Sequence, residues 1–263
     1  MNADDPKVRT AAPVVLGLIV LAVWEFGCRA GHVPAYLFPT PSEIAVSLYK
    51  DWPTLLQGLW STLIVTFEAF AVSAVVGTLI AFVFVQSRII ELSLFPYAVL
   101  AQVTPIVAVA PLIILLVKNT QISLTICATV IAIFPIISNT TLGLRSVDPG
   151  LLSYFRMNKA SRLDILLRLR IPSALPYFLA GLRIASGLSL IGAVVAEFVA
   201  GSGGRSAGLA YQIMQAGFQL DIPLMFAALL LIAVTGVLLY LLMVALNRAL
   251  LGHWHESALA EER

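Results

Sequence analysis

Long stretches of this chain carry no charge at all. Residues 92–117, 119–144 and 222–247 each run 26 positions without Asp, Glu, Lys or Arg, and 69–87 runs 19. About 20 apolar helical residues cross the hydrocarbon core of a bilayer. Lipid offers no hydrogen bonds to the backbone, so such spans close their own bonds as helices. The pattern predicts six spans: 11–28, 61–86, 94–117, 121–142, 176–199 and 223–246. No strand-like alternation persists, which argues against a barrel. The first run follows Lys7 and Arg9 as a signal peptide would, but Trp24-Glu25-Phe26-Gly27 is too bulky for a cleavage site, so a retained helix is expected.

Composition agrees. Hydrophobic residues make up 60% of the chain and charged ones 11%, with a mean hydropathy of +0.96. A soluble domain carries about 25% charged residues. Too few charges exist here to cover a soluble core of this size. A soluble enzyme, a disordered chain and a disulfide scaffold are therefore excluded, and a net charge of +2 is too small to argue for nucleic acid. Cys28 and Cys127 sit in or beside apolar runs and read as buried small hydrophobes.

The basic residues give an orientation. With the N-terminus inside, the inner segments hold Lys7, Arg9, Arg88, Arg145, Arg156, Lys159, Arg162, Arg168, Arg170, Arg248 and Arg263. The outer segments hold only Arg29, Lys50, Lys118 and Arg205. Positive charge favours the cytoplasmic side. Both tails, 1–10 and 250–263, are thus expected inside, as is the basic loop 143–174. Outside, 29–60 contains prolines and a serine that suggest turns leading into an amphipathic helix over 42–51. In 201–221, Gly201-Ser202-Gly203-Gly204-Arg205 reads as a flexible turn; whether 207–220 forms a helix dipping into the bundle stays open.

No catalytic chemistry is legible. The glycine turn lacks the spacing and the lysine of a P-loop. There is no HExxH, no GxSxG, no paired intramembrane carboxylate and no metal-ligand spacing. His32, His253 and His255 fall outside the spans, and the last two flank Trp254 as interfacial anchors. No cofactor is expected, and energy for active transport would have to come from ions or another subunit.

The inner loop has internal order. Asp148-Pro149-Gly150 can open a helix carrying Leu151, Leu152 and Phe155, with Tyr154 beside them. A second start at Lys159-Ala160-Ser161 leads into Arg162-Leu163-Asp164-Ile165-Leu166-Leu167-Arg168-Leu169-Arg170, an amphipathic pattern. Ile171-Pro172 is expected to end it. Two readings follow: a helix pair lying on anionic lipid, which its Arg and Lys would favour, or a handle gripped by a cytosolic protein.

Several pieces resemble a known family. They are Phe38-Pro39-Thr40-Pro41-Ser42-Glu43, Gly143-Leu144-Arg145-Ser146-Val147-Asp148-Pro149, Ala160-Ser161-Arg162, Leu169-Arg170-Ile171-Pro172-Ser173-Ala174-Leu175-Pro176-Tyr177, Ala180-Gly181-Leu182-Arg183-Ile184-Ala185 and Val194-Val195-Ala196-Glu197-Phe198. In order and spacing, over roughly residues 30 to 250, they resemble the permease subunits of binding-protein-dependent ABC importers. The branch is that of taurine, alkanesulfonate, nitrate and thiamine-precursor pyrimidine permeases. The resemblance implies an all-α polytopic bundle of MetI-like fold in the bacterial inner membrane, with a core over 61–249. It implies a second permease chain (identical or a paralogue), two cytosolic ATPases that grip the inner loops, and an external substrate-binding protein. The chain itself would be non-catalytic. The gripped element in the family is a Glu-Ala-Ala triplet, a glycine three residues later, then Leu-Pro. Here the triplet position holds Ser153-Tyr154-Phe155, the glycine position Lys159, and Ile171-Pro172 keeps the later dipeptide in conservative form. A positive φ is costly for lysine, so a blunter turn is expected. Docking is expected through Tyr154, Phe155, Arg156, Lys159, Ser161, Arg162 and Leu163.

Ionisable groups within spans point to function. Glu68, Arg183 and Glu197 are such groups. Gly181, Ala185, Ser189 and Ala193 form a small-residue ladder that permits close helix approach, within the chain or against a second permease. Pro96, Pro105 and Pro111 are expected to interrupt the third span and Pro135 the fourth, with Gln102, Thr104 and Pro105 as candidate pathway lining. The likeness of Val103-Thr104-Pro105-Ile106-Val107-Ala108-Val109-Ala110-Pro111 to pyrimidine or riboflavin permeases, and the lack of an anion-binding cluster, favour a heterocyclic solute over a sulfonate or nitrate. The alternative function is a self-sufficient secondary transporter. Such a carrier commonly has two mirrored halves, and no internal repeat is visible.

Overall fold

The computed structural model describes residues 6–201 and 207–251, with side chains from residue 11 on. The expectations for Arg205, Arg263 and the His253-Trp254-His255 anchor lie outside the described residues. The described chain forms helices α1 (Pro6–Ala30), α2 (Pro41–Lys50), α3 (Trp52–Gln86), α4 (Arg88–Val103), α5 (Ile106–Leu116), α6 (Thr120–Arg145), α7 (Pro149–Met157), α8 (Arg162–Ile165), α9 (Ile171–Ala200), α10 (Leu209–Gln219) and α11 (Ile222–Leu251). Helices α1, α3, α6, α9 and α11 are each long and apolar enough to cross a membrane. A sixth span exists if α4 and α5 are taken together.

That third span differs from expectation. It is two helices bent by 98° at Thr104–Pro105. Both residues are extended, with φ/ψ of −68°/122° and −65°/106°. A residue before proline avoids the helical region, and Pro105 has no N–H to continue the ladder. Pro96, Pro111 and Pro135, expected to interrupt as well, lie inside continuous helices α4, α5 and α6. Packing decides between them. Beyond the break, Ile106, Ala110 and Ile113 dock α5 on a core of Val65, Ala69, Leu124, Cys127, Ala128, Ala193 and Ala196.

At the centre, α6 and α9 pack antiparallel. A β-carbon on Gly192 would fall 2.8 Å from Ala128 Cα, and one on Gly143 2.9 Å from Ala174 Cα. Without hydrophobic drive in lipid, such backbone approach is what lets helices gain dispersion contact. The ladder is used on this seam: Gly181 abuts Pro135 and Asn139, Ala185 and Ala193 are fully buried, and the buried Ser189 hydroxyl donates to Ala185 O at 2.8 Å. Helix α3, of 35 residues and so ~52 Å long, leans on both.

The segment between α1 and α3 is pinned by its caps. Thr40 opens α2 with a reciprocal capping box: Thr40 N–H donates to Glu43 Oε2 (2.8 Å) and Glu43 N–H to Thr40 Oγ1 (3.3 Å). Ser42 N–H and Oγ donate to Glu25 of α1, and Trp24 Nε1 donates to Pro39 O. Trp24, Phe38 and Phe226 stack as an aromatic trio that ties α1 to α11. At the other end, Arg145 and Arg88 both pair with Glu91, clamping α4 to α6.

Candidate functional site

Three polar constructions stand out from the apolar bundle. The first is the basic loop between α6 and α9. Asp148 caps α7 by accepting from Leu151 N–H at 2.9 Å, with Pro149 in the first turn. Ser161 caps α8, accepting from Asp164 N–H at 3.1 Å and donating back to its carboxylate. Helix, turn and helix are thus as expected, but the junctions are not. The turn is sharp after all: Lys159 takes the left-handed conformation at φ +53°. The strain of a β-carbon there, about 1–2 kcal/mol, is offset by three backbone bonds that close the turn, among them Lys159 N–H to Arg156 O and Ala160 N–H to Phe155 O. Nor does Ile171-Pro172 end the second helix. The chain widens into a π-helical turn over Leu166–Arg170, where Ile171 N–H reaches back five residues to Leu166 O, and then runs straight into α9. The wider turn accommodates a proline with no N–H to give. The outward face of this element is apolar and bare: Tyr154, Met157, Leu163 and Leu167 are each more than half exposed. Phe155 lies beside Tyr154, ring centroids 6.4 Å apart. Arg156, Lys159, Ser161 and Arg162 are exposed around them.

The second construction joins α3 to the first two turns of α6. Glu68 stands near the middle of α3 and is exposed on the surface of the single chain. Its Oε2 accepts from Gln121 Nε2 at 2.9 Å and Thr125 Oγ1 at 2.7 Å, both on α6. Thr129 continues the polar row one turn on. A carboxylate and an amide on membrane-crossing helices are expensive to leave against lipid. The break between α4 and α5 adds to the open polar surface: Gln102, Thr104 and Pro105 are all exposed, and Thr104 Oγ1 donates to Leu100 O at 2.6 Å. Arg183, well inside α9, is half-buried, its Nε has no hydrogen-bond partner, and it makes no ion pair among the described residues.

The third was not legible in sequence as what it is. Glu197, only 4% exposed, caps α10 from outside that helix. Its Oε2 accepts from Ala210 N–H (3.2 Å) and faces Thr62 Oγ1 (3.1 Å), while Thr62 Oγ1 accepts from Leu209 N–H (2.9 Å). Two of the unpaired amides that begin any helix are thus satisfied by side chains of α9 and α3. A β-carbon on Gly208 would collide with the Glu197 carboxyl group. The sequence signal was Gly208 ahead of an uncharged amphipathic run, but its partners lie 11 and 146 residues away. No group of three or more metal-ligating side chains occurs among the described residues.

The comparisons agree with this architecture. The model of the binding-protein-dependent transport system inner membrane component family matches residues 73–252. A probable ABC transporter permease of Haemophilus influenzae is 32% identical, over 89% of this chain and 94% of its own. The formylaminopyrimidine transport permease ThiX of Halalkalibacterium halodurans is 31% identical (86% and 89% covered), and the riboflavin transport permease RibX of Chloroflexus aurantiacus 33% (93% and 90%). Others bear names for aliphatic sulfonate and nitrate import. In fold, a chain of an amino acid ABC transporter solved with histidines superimposes with a TM-score of 0.65 at 20% identity, covering 78% of this chain and 97% of its own. The chain belongs to the family of binding-protein-dependent transport system inner membrane components. It is the membrane-embedded, non-catalytic permease subunit of an ABC importer.

Proposed function

We propose that this permease pairs with a second permease chain around the Glu68–Gln121–Thr125 cluster and conducts a small heterocyclic solute such as a thiamine-precursor pyrimidine or riboflavin. The observation that carries the reading is the cluster itself: a hydrogen-bonded carboxylate exposed on a helix long and apolar enough to cross a membrane. Water or a second protein surface must cover it. Glu68 offers acceptors and Gln121 both kinds of group, which suits a solute rich in N–H and ring nitrogens. One carboxylate and one guanidinium, Arg183, per chain leave no excess of positive charge to hold nitrate or a sulfonate. The relatives named for pyrimidine and riboflavin transport support the same choice.

The pathway is completed by Gln102, Thr104 and Pro105 at the break. Tyr154, Phe155, Arg156, Lys159, Ser161, Arg162 and Leu163 dock a cytosolic ATPase, with both termini on that side, and an external binding protein supplies the solute. Ser189 and Glu197 act within the chain, on the α6–α9 seam and at the α10 cap. Reconstitution in liposomes with the ATPase and binding protein tests this. ATP-dependent uptake of a labelled aminopyrimidine or riboflavin, lost in Glu68→Ala, is expected. Uptake of nitrate or a sulfonate instead would refute the solute, and uptake by the chain alone on an ion gradient would refute the mechanism.

A further inference from the structure

A cavity of about 680 Å³ lies between the last turn of α3 and the inner-loop helices. Three arginines line it, Arg156 from α7, Arg162 from α8 and Arg170 from the π-helical turn, together with the apolar Phe82, Val85 and Leu166. No carboxylate is among its described lining residues, and none of the three arginines makes an ion pair among the described residues. Neighbouring Arg168, by contrast, pairs with Asp164 at 3.7 Å and lies outside the cavity. Three like charges gathered around one space repel one another unless an anion sits among them. Arg170 is the last residue of the π-helical turn.

We propose that this cavity binds the phosphate headgroup of an anionic phospholipid. The position argues for lipid over a free anion. Phe82 and Val85 belong to the end of a membrane-crossing helix, where headgroups lie, and they supply the apolar wall an acyl chain would follow. Inorganic phosphate would use the arginines and leave that wall wet. Basic pockets at the ends of transmembrane helices recognise headgroups in this way. The lipid thereby bridges the docking element to α3. The site goes beyond the proposed function and needs neither the solute nor the ATPase. Arg156 and Arg162 are shared with the docking face; Arg170 is not, and so it carries the test.

Native mass spectrometry of the full chain in detergent, titrated with phosphatidylglycerol or phosphatidylcholine, reads the site directly. One phosphatidylglycerol per chain is expected to survive where phosphatidylcholine is stripped. Arg170→Gln should weaken it roughly five-fold, the share of one arginine at a membrane surface. Arg170→Lys should restore part of the loss, and Val85→Trp should exclude the lipid while the chain keeps its elution volume. Arg168→Gln should leave binding unchanged. Equal retention of phosphatidylcholine, an equal loss in Arg168→Gln, or displacement by matched inorganic phosphate would each overturn the proposal.

Discussion

A single methyl group at Gly208 tests how α10 is held. The residue has φ −84° and ψ −176°, a conformation open to alanine, so no backbone penalty arises. The added β-carbon instead meets the Glu197 carboxyl carbon and both its oxygens. These are the tip of the Glu197 side chain, which can move aside only by giving up Thr62 and Ala210. Because a side-chain tip can swing away, the overpacking stays at the low end, about 1 kcal/mol. Ala210 N–H then loses its acceptor inside the bundle, at a further ~1–3 kcal/mol. Gly208→Ala should therefore destabilise the chain by about 2–4 kcal/mol. Glu197→Ala should cost about 1–3 kcal/mol through the same orphaned amide. The double variant decides the matter, because with Glu197 gone the methyl has nothing to strike. Its cost should match that of Glu197→Ala alone, a coupling of about 2–4 kcal/mol. Thermal unfolding of the four proteins in detergent, followed by tryptophan fluorescence, gives the cycle. Additive losses would show that Gly208 and Glu197 do not share a site, and the capping account would fail.

Three other outcomes are expected. Lys159→Gly should raise stability by up to ~1 kcal/mol, since it relieves the left-handed lysine; a loss of stability would mean the turn depends on the lysine side chain. Phe155→Asp with Leu163→Asp should abolish co-purification of the ATPase while the thermal midpoint of the chain holds, and undiminished co-purification would place docking elsewhere. Thr62→Val removes the acceptor of Leu209 N–H and a neighbour of Glu197, so a loss of ~1–3 kcal/mol is expected, whereas a neutral result would show water replacing the hydroxyl.

Much of the architecture follows from local pattern. Runs free of charge require helices in lipid whatever their neighbours, so the spans and the all-α class are legible residue by residue. The same holds for the helix starts at Asp148 and Ser161, whose side chains act on amides three residues away. The family, too, is legible, because its motifs are contiguous. Tertiary structure decided what distance in sequence hides. Pro105 breaks its helix while Pro96, Pro111 and Pro135 do not, since a proline's effect depends on whether packing rewards the bend. Lys159 keeps a glycine's conformation because the helices on either side close a turn around it. Glu68 and Glu197 are both carboxylates in apolar spans, and nothing local separates them. One emerges on an open face beside Gln121, the other is sealed against the start of α10. A charge in a membrane takes its role from the partners that reach it, and those partners come from helices that only folding brings together.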